Sequence, residues 1–267
     1  MANNLIKHWQ SLTTVDIQKL SESDPVAILP IAAIEQHGPH LPLSTDLDIG
    51  MGLLTNAFDC LPHDFSALVL PAQAVGCSLE HVHFHGTLSL EPHLLSETIV
   101  RNGIALANCG IKRLVLSNSH GGNRHSLDTA GLKLREEHKL LVVKANYFLF
   151  PKPNNINLPE SEWKHGLHGG AIETAMMQHL RPDLVRSNAI KNYHSLGEDL
   201  EKSLTRLSPE SEAASFSWLA KDLNRTGVAG DASLANPAIG KQLVNYYGQA
   251  LAEVIRDAKD FPLEHLV

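Results

Sequence analysis

The chain has 267 residues, 43% of them apolar and 19% charged, and a formal net charge of −7 from 29 acidic and 22 basic residues. That composition excludes a disordered chain, and the absence of a Lys/Arg-rich run argues against nucleic acid or an anionic membrane as partner. The length suffices for a substantial core and fits one domain over residues 1–267.

Val26-Ala27-Ile28-Leu29-Pro30-Ile31 predicts a buried strand. It runs into Glu35-Gln36-His37-Gly38-Pro39-His40, with Asp46 six residues on. Glu35 and His37 stand two apart, so an extended segment points them to one side, and Asp46 lies past a proline-punctuated loop that can fold back on them. A Glu, a His and an Asp converging at a strand end is ligand chemistry for a divalent cation; the alternative is a solvated polar loop. Leu47 to Asp59 predicts a helix, and Ala67 to Ala72 a second strand. His81, His83 and His85 alternate, which puts all three on one side of an extended segment, lining a pocket or facing solvent.

Leu94 to Asn108 has helical periodicity and closes on Cys109-Gly110, as a helix C-terminus should. Lys112 to Asn118 predicts a third strand, which delivers Ser119-His120-Gly121-Gly122-Asn123 to the same position as the first motif. The main-chain N–H groups of Gly121 and Gly122 would lie at the N-terminus of the next helix, Arg124 to His138, where an anion or oxyanion is favoured. Leu140 to Tyr147 is a fourth strand, and Pro151 to Trp163 reads as an excursion or lid. His168 sits on a glycine-flanked turn ahead of an apolar helix, Ala175 to Leu180. Glu173 falls in the first turn of that helix, where the dipole alone favours a carboxylate. A last helix is expected over Gly240 to Lys259.

Strands alternating with helices in this way indicate an α/β fold, three-layer α/β/α with a mainly parallel sheet. In such sheets ligands bind at the carboxyl ends of the strands. Three cysteines, Cys60, Cys77 and Cys109, without CxxC spacing indicate neither a disulfide framework nor a thiolate zinc site. Met1 to Trp9 lacks the apolar core of a signal peptide, and no stretch of roughly 18 apolar residues could span a bilayer. A cytoplasmic location is expected.

Taken together, the motifs resemble the creatininase (creatinine amidohydrolase) family. Glu35-Gln36-His37-Gly38-Pro39-His40-Leu41-Pro42 with Asp46 is similar to its first motif, Ser119-His120-Gly121-Gly122-Asn123 to its second, and His168-Gly169-Gly170-Ala171-Ile172-Glu173-Thr174 to its third. Phe84-His85-Gly86-Thr87 and Gly227-Val228-Ala229-Gly230-Asp231 also resemble family segments. The resemblance implies a metal-dependent amidohydrolase with two divalent cations per subunit, zinc first and manganese or iron as alternatives, assembled as a homohexamer. Glu35, Asp46 and His120 match ligands of one cation; His37 and a bridging Asp46 match ligands of the other. His168 matches the proton-handling histidine, and Ser78 a substrate-contacting serine, with Gly121 and Gly122 beside the substrate.

The chain also departs from creatininase proper. A Glu two residues after the second-motif His binds metal there, and Gly122 stands here instead. Either Glu173 enters the metal shell, or water fills the place, or the second cation is weakly held. Phe148 and Lys164 replace the two tryptophans that enclose creatinine, which argues against that substrate. Family members with the His-Gly-Gly-Asn form include formamide hydrolases and a peptidase.

The expected activity is hydrolysis of a non-peptide C–N bond in a small cyclic amide or formamide. A bound cation lowers the pKa of its water to roughly 7, making hydroxide available for attack, and an imidazole such as His168 moves the proton to the leaving nitrogen. The alternatives are creatinine hydrolysis itself, a metallopeptidase acting on a small peptide, and a non-catalytic scaffold stapled by metal. A serine hydrolase is disfavoured because no G-x-S-x-G occurs.

Overall fold

The computed structural model describes residues 6–211 and 213–266; Met1 to Leu5, part of the stretch read for a signal peptide, lie outside the described residues. In chain order the elements are β1 (Ile6–His8), α1 (Thr14–Ser21), β2 (Val26–Ile31), α2 (Thr45–Cys60), β3 (Ala67–Val69), α3 (Pro92–Asn108), β4 (Arg113–Asn118), α4 (Arg124–His138) and β5 (Leu141–Asn146). There follow α5 (Glu160–His165), α6 (Ala171–Leu180), β6 (Asn192–Tyr193), α7 (Leu196–Glu201), α8 (Ala220–Leu223), β7 (Gly230–Asp231) and α9 (Pro237–Asp260).

Five strands pair in the order β1-β3-β2-β4-β5, every pair parallel. All six residues of β2 and of β4 are buried, as expected where helices cover both faces of a parallel sheet. Side chains alternate across the sheet. Val26, Ile28 and Val115 join one core with residues of α2, α6 and α9, including Ile49, Leu53, Ala175, Leu243 and Ile255. Ala27, Leu29, Ile31, Leu114 and Leu116 join a second core with residues of α3 and α4, including Leu95, Ile99, Leu127 and Leu134. The three-layer α/β/α arrangement read from the sequence is therefore present.

The predicted strands and helices are all there, with bounds moved by a few residues. Strand β1 escapes the sequence reading because three residues, two half-buried and one exposed, are too few to show a period. The excursion from Pro151 is anchored, since Ile156 and Leu158 are buried in the first core. Helix α9 starts where Asn236 Oδ1 accepts from the Ile239 N–H at 2.9 Å and Pro237 takes the first turn. The short antiparallel pair β6–β7 and a bridge between His168 and Ala229 bring residues 227–231 beside the carboxyl ends of the central strands. No helix of the described residues is long and apolar enough to cross a membrane.

Candidate active site

Beyond β2 the chain carries Glu35 and His37 inward, and beyond β4 it carries His120; all three are buried. Asp46, also buried, sits in the first turn of α2, where the helix dipole favours a carboxylate. Its two oxygens face two imidazoles. Oδ1 is 3.4 Å from His37 Nε2, and Oδ2 is 3.4 Å from His120 Nδ1. The His37 ring is held by its own neighbourhood: Nδ1 lies 3.2 Å from the Glu35 carbonyl, so Nδ1 carries a hydrogen and Nε2 is the nitrogen turned toward Asp46. On the other ring, His120 Nε2 lies 2.9 Å from the Cys77 carbonyl, which leaves Nδ1 as the free nitrogen toward Asp46.

Glu173 completes one side. It lies in the first turn of α6, accepts from the Gly169 N–H at 2.6 Å, and stands 3.9 Å from His37 Nε2. His37, Asp46 and Glu173 thus offer three ligand atoms within 4.8 Å of one another. A second such group is Glu35 with Glu80 and His120, and a third is Glu35 with His37 and His168.

Several of these atoms have no protein partner. Both Glu35 oxygens, His37 Nε2 and Asp46 Oδ2 are buried and accept or donate no hydrogen bond among the described residues. Leaving one such group unsatisfied costs roughly 1–3 kcal/mol, and more when it is charged. Four adjacent orphans of O and N type fit a bound divalent cation, which would satisfy them together. The protonation states express the same strain. Burial, with Asp46 and Glu80 nearby, pushes the Glu35 carboxyl well above its ordinary range. Burial alone would lower the His37 pKa, but Asp46 and Glu173 outweigh it and lift the value to about 9. Burial also raises Glu173, an effect that His37 partly offsets.

His168 closes the cluster. Its Nε2 donates to the Gln36 carbonyl at 2.6 Å, and its Nδ1 lies 3.7 Å from Glu35 Oε1. Burial and the neighbouring His37 and His81 hold its pKa well below the ordinary value, so the ring is neutral. Ser78 is buried at the centre, its Oγ 3.4 Å from His120 Nε2. Gly121 is exposed and opens the short turn Gly121–Asn123 into α4. Gly122 is enclosed: a Cβ there would lie 2.3 Å from the Cys77 carbonyl oxygen, 2.6 Å from His120 Nε2 and 2.8 Å from Glu80 Oε1.

One expectation fails. Residues Leu79–His81 form a 3-10 turn, not an extended segment, so His81 turns inward while His83 and His85 face solvent. The turn also brings in Glu80, which the sequence reading missed; its Oε1 lies 3.6 Å from His120 Nε2. A clue existed, because a glycine where a carboxylate was expected leaves room for a carboxylate from elsewhere. Asn123 is a second omission. It ties the two motif loops together, donating to the Ala32 carbonyl at 3.1 Å and accepting from the Cys77 N–H at 2.9 Å. Lys164 is exposed and ion-paired with Glu201, and Phe148 packs edge-on against Tyr147.

The chain is 29% identical over 235 residues to a mycofactocin precursor peptide peptidase of Mycolicibacterium smegmatis, covering 87% of this chain and 85% of that protein. It is 29% identical over 231 residues to a 2-amino-5-formylamino-6-ribosylaminopyrimidin-4(3H)-one 5'-monophosphate deformylase of Methanothermus fervidus, covering 85% and 80%. A solved structure described as creatininase with Mn superposes with a TM-score of 0.73 at 25% identity, over 96% of this chain and 98% of that one. The family described as "Creatininase: Creatinine amidohydrolase" matches residues 10–255, and the chain therefore belongs to the creatininase family of amidohydrolases.

Proposed function

We propose that the chain hydrolyses a non-peptide C–N bond of a small cyclic amide or formamide at a site for two divalent cations, zinc first, with manganese or iron as alternatives. The observation that carries the reading is Asp46 standing between His37 and His120, one oxygen toward each. In this reading His37, Glu173 and Asp46 hold one cation, and His120, Glu35 and Asp46 the other. When bound, the cations supply a water that is deprotonated near neutral pH and an electrophile for the amide carbonyl.

The remaining work falls to the protein. His168 presents the Nδ1 lone pair toward the cluster and takes a proton there, and the same imidazole returns it to the leaving nitrogen, which departs poorly as an anion. Glu173 supplies the carboxylate that Gly122 cannot. Ser78 and the turn at Gly121 and Gly122 border the substrate. Burial of Glu35, His37 and His168 excludes bulk water and suits a compact substrate. Likeness to a precursor peptide peptidase supports a second reading, cleavage of a short peptide. A homohexamer in the cytoplasm belongs to the same proposal.

Chelation tests the reading. EDTA should abolish hydrolysis across a panel of cyclic amides, formamides and short peptides, and Zn²⁺ or Mn²⁺ should restore it. Activity that survives chelation would overturn the proposal, and cleavage confined to peptides would select the second reading.

A further inference from the structure

Gln36 grips two of the site's histidines through different groups. Its side-chain amide is oriented by the backbone: Oε1 accepts from the Gly38 N–H at 2.9 Å, and Nε2 donates to the Gly227 carbonyl at 2.9 Å. The reverse orientation would set donor against donor and acceptor against acceptor. The other Nε2 hydrogen is then directed at His81 Nδ1, 2.8 Å away. An amide nitrogen only donates, so His81 Nδ1 is the bare nitrogen and Nε2 carries the hydrogen.

The main chain of Gln36 grips His168 from the opposite end. Its carbonyl only accepts and lies 2.6 Å from His168 Nε2, so that nitrogen carries the hydrogen and Nδ1 is bare. Both rings thus share one tautomer but present opposite ends to the site. Their centroids are 4.2 Å apart, with the ring planes tilted by 31°. His81 Nε2–H and the bare His168 Nδ1 stand 3.5 and 3.7 Å from the same oxygen, Glu35 Oε1. Gly227 permits the grip, since its φ is +83° and a Cβ would fall 2.4 Å from Gln36 Oε1.

We propose that Gln36 is a tautomer-setting residue that makes His81 a hydrogen-bond donor and His168 an acceptor on either side of Glu35 Oε1, with His81 as the positioning residue for Glu35. The consequence rests on the metallohydrolase reading; the tautomers do not. With a cation bound, His81 Nε2–H, now 3.5 Å from Glu35 Oε1, would donate to that oxygen and leave Oε2 for the cation, as partners of metal-binding carboxylates do. His168 keeps its lone pair for the proton. Were either ring in the other tautomer, the site would lack the donor or the base.

The test is a long-range ¹H–¹⁵N spectrum of the zinc-loaded protein with ¹⁵N-labelled histidine. His81 and His168 should each show a protonated, pyrrole-type Nε2, and His81 a bare, pyridine-type Nδ1. A protonated Nδ1 on either ring overturns the inference. Zinc titration of two variants supplies the second arm. His81→Ala should weaken one zinc site by about 10–100-fold, while His81→Gln, which still offers an N–H, should recover most of it. Wild-type zinc affinity in His81→Ala overturns the positioning role. Because neither readout needs turnover, a chain with these signals that cleaves no amide refutes the proposed reaction and leaves this inference standing.

Discussion

The carboxylate of Glu80 stands where a side chain at position 122 would have to go: a Cβ on Gly122 would lie 2.8 Å from Glu80 Oε1. The second motif therefore lacks a side chain at this position for a steric reason: Glu80, carried by the turn at Leu79–His81, fills the space beside His120. Gly122→Ala should cost about 1–3 kcal/mol as an overpacked site. Removing Glu80 as well should recover little, because the 2.3 Å approach is to the fixed Cys77 carbonyl. Urea unfolding of Gly122→Ala and of the double variant with Glu80→Ala checks this; wild-type stability in the single variant contradicts it.

His168 offers a bare Nδ1 toward the cluster, in direct contact with the proposed reaction. His168→Ala should retain both cations by elemental analysis and lose about 10²–10⁴-fold in kcat. Stability should also fall by roughly 1–3 kcal/mol, since the Gln36 carbonyl loses its donor. Wild-type kcat in this variant would remove His168 from the mechanism.

For Glu173 the sequence leaves two readings open, helix-end carboxylate or ligand, and the geometry permits both. Its Oε2 accepts from the Gly169 N–H at 2.6 Å and also faces His37. Glu173→Gln keeps an acceptor for that N–H but loses the charge. The ligand reading predicts an unchanged fold by circular dichroism and one cation fewer per chain. Two retained cations would reduce Glu173 to a helix-end role.

The pH dependence of the cation-free chain has a definite sign. The His37 pKa is lifted from 6.5 to about 9, so the extra stability from its proton is complete below the lower value and is lost as pH rises through the upper one. A shift of that size corresponds to about 3 kcal/mol. Glu35 and Glu173, both raised, push in the same direction by resisting ionisation. The Tm of the EDTA-treated protein should therefore fall on the order of 10 °C between these pH values, and zinc should abolish most of the fall. Melting curves at the two pH values, with and without zinc, decide it; a flat profile without zinc contradicts the account.

How far the sequence was legible depends on the length and regularity of each signal. β2 and β4 carry six buried residues each between clear loops, so their ends, and with them Glu35, His37 and His120, could be placed without coordinates. Strand β1 is too short to show a period. The stretch from Ser78 to His85 misleads because the alternation of its histidines imitates a strand, while the backbone turns at Leu79–His81 and separates them. Gln36 was visible as a letter in the first motif. Its role was not, because that role depends on Gly227, a partner 191 residues away that meets it only in the fold.

The claim of a two-cation site bridged by Asp46 is tested most directly by counting bound metal. Zinc titration of the EDTA-stripped protein, read by elemental analysis after gel filtration, should give two ions per wild-type chain and close to none in Asp46→Ala, since each oxygen of Asp46 faces a different histidine. Circular dichroism should show the variant folded. Two ions retained by Asp46→Ala, or none bound by the wild type, would contradict the account.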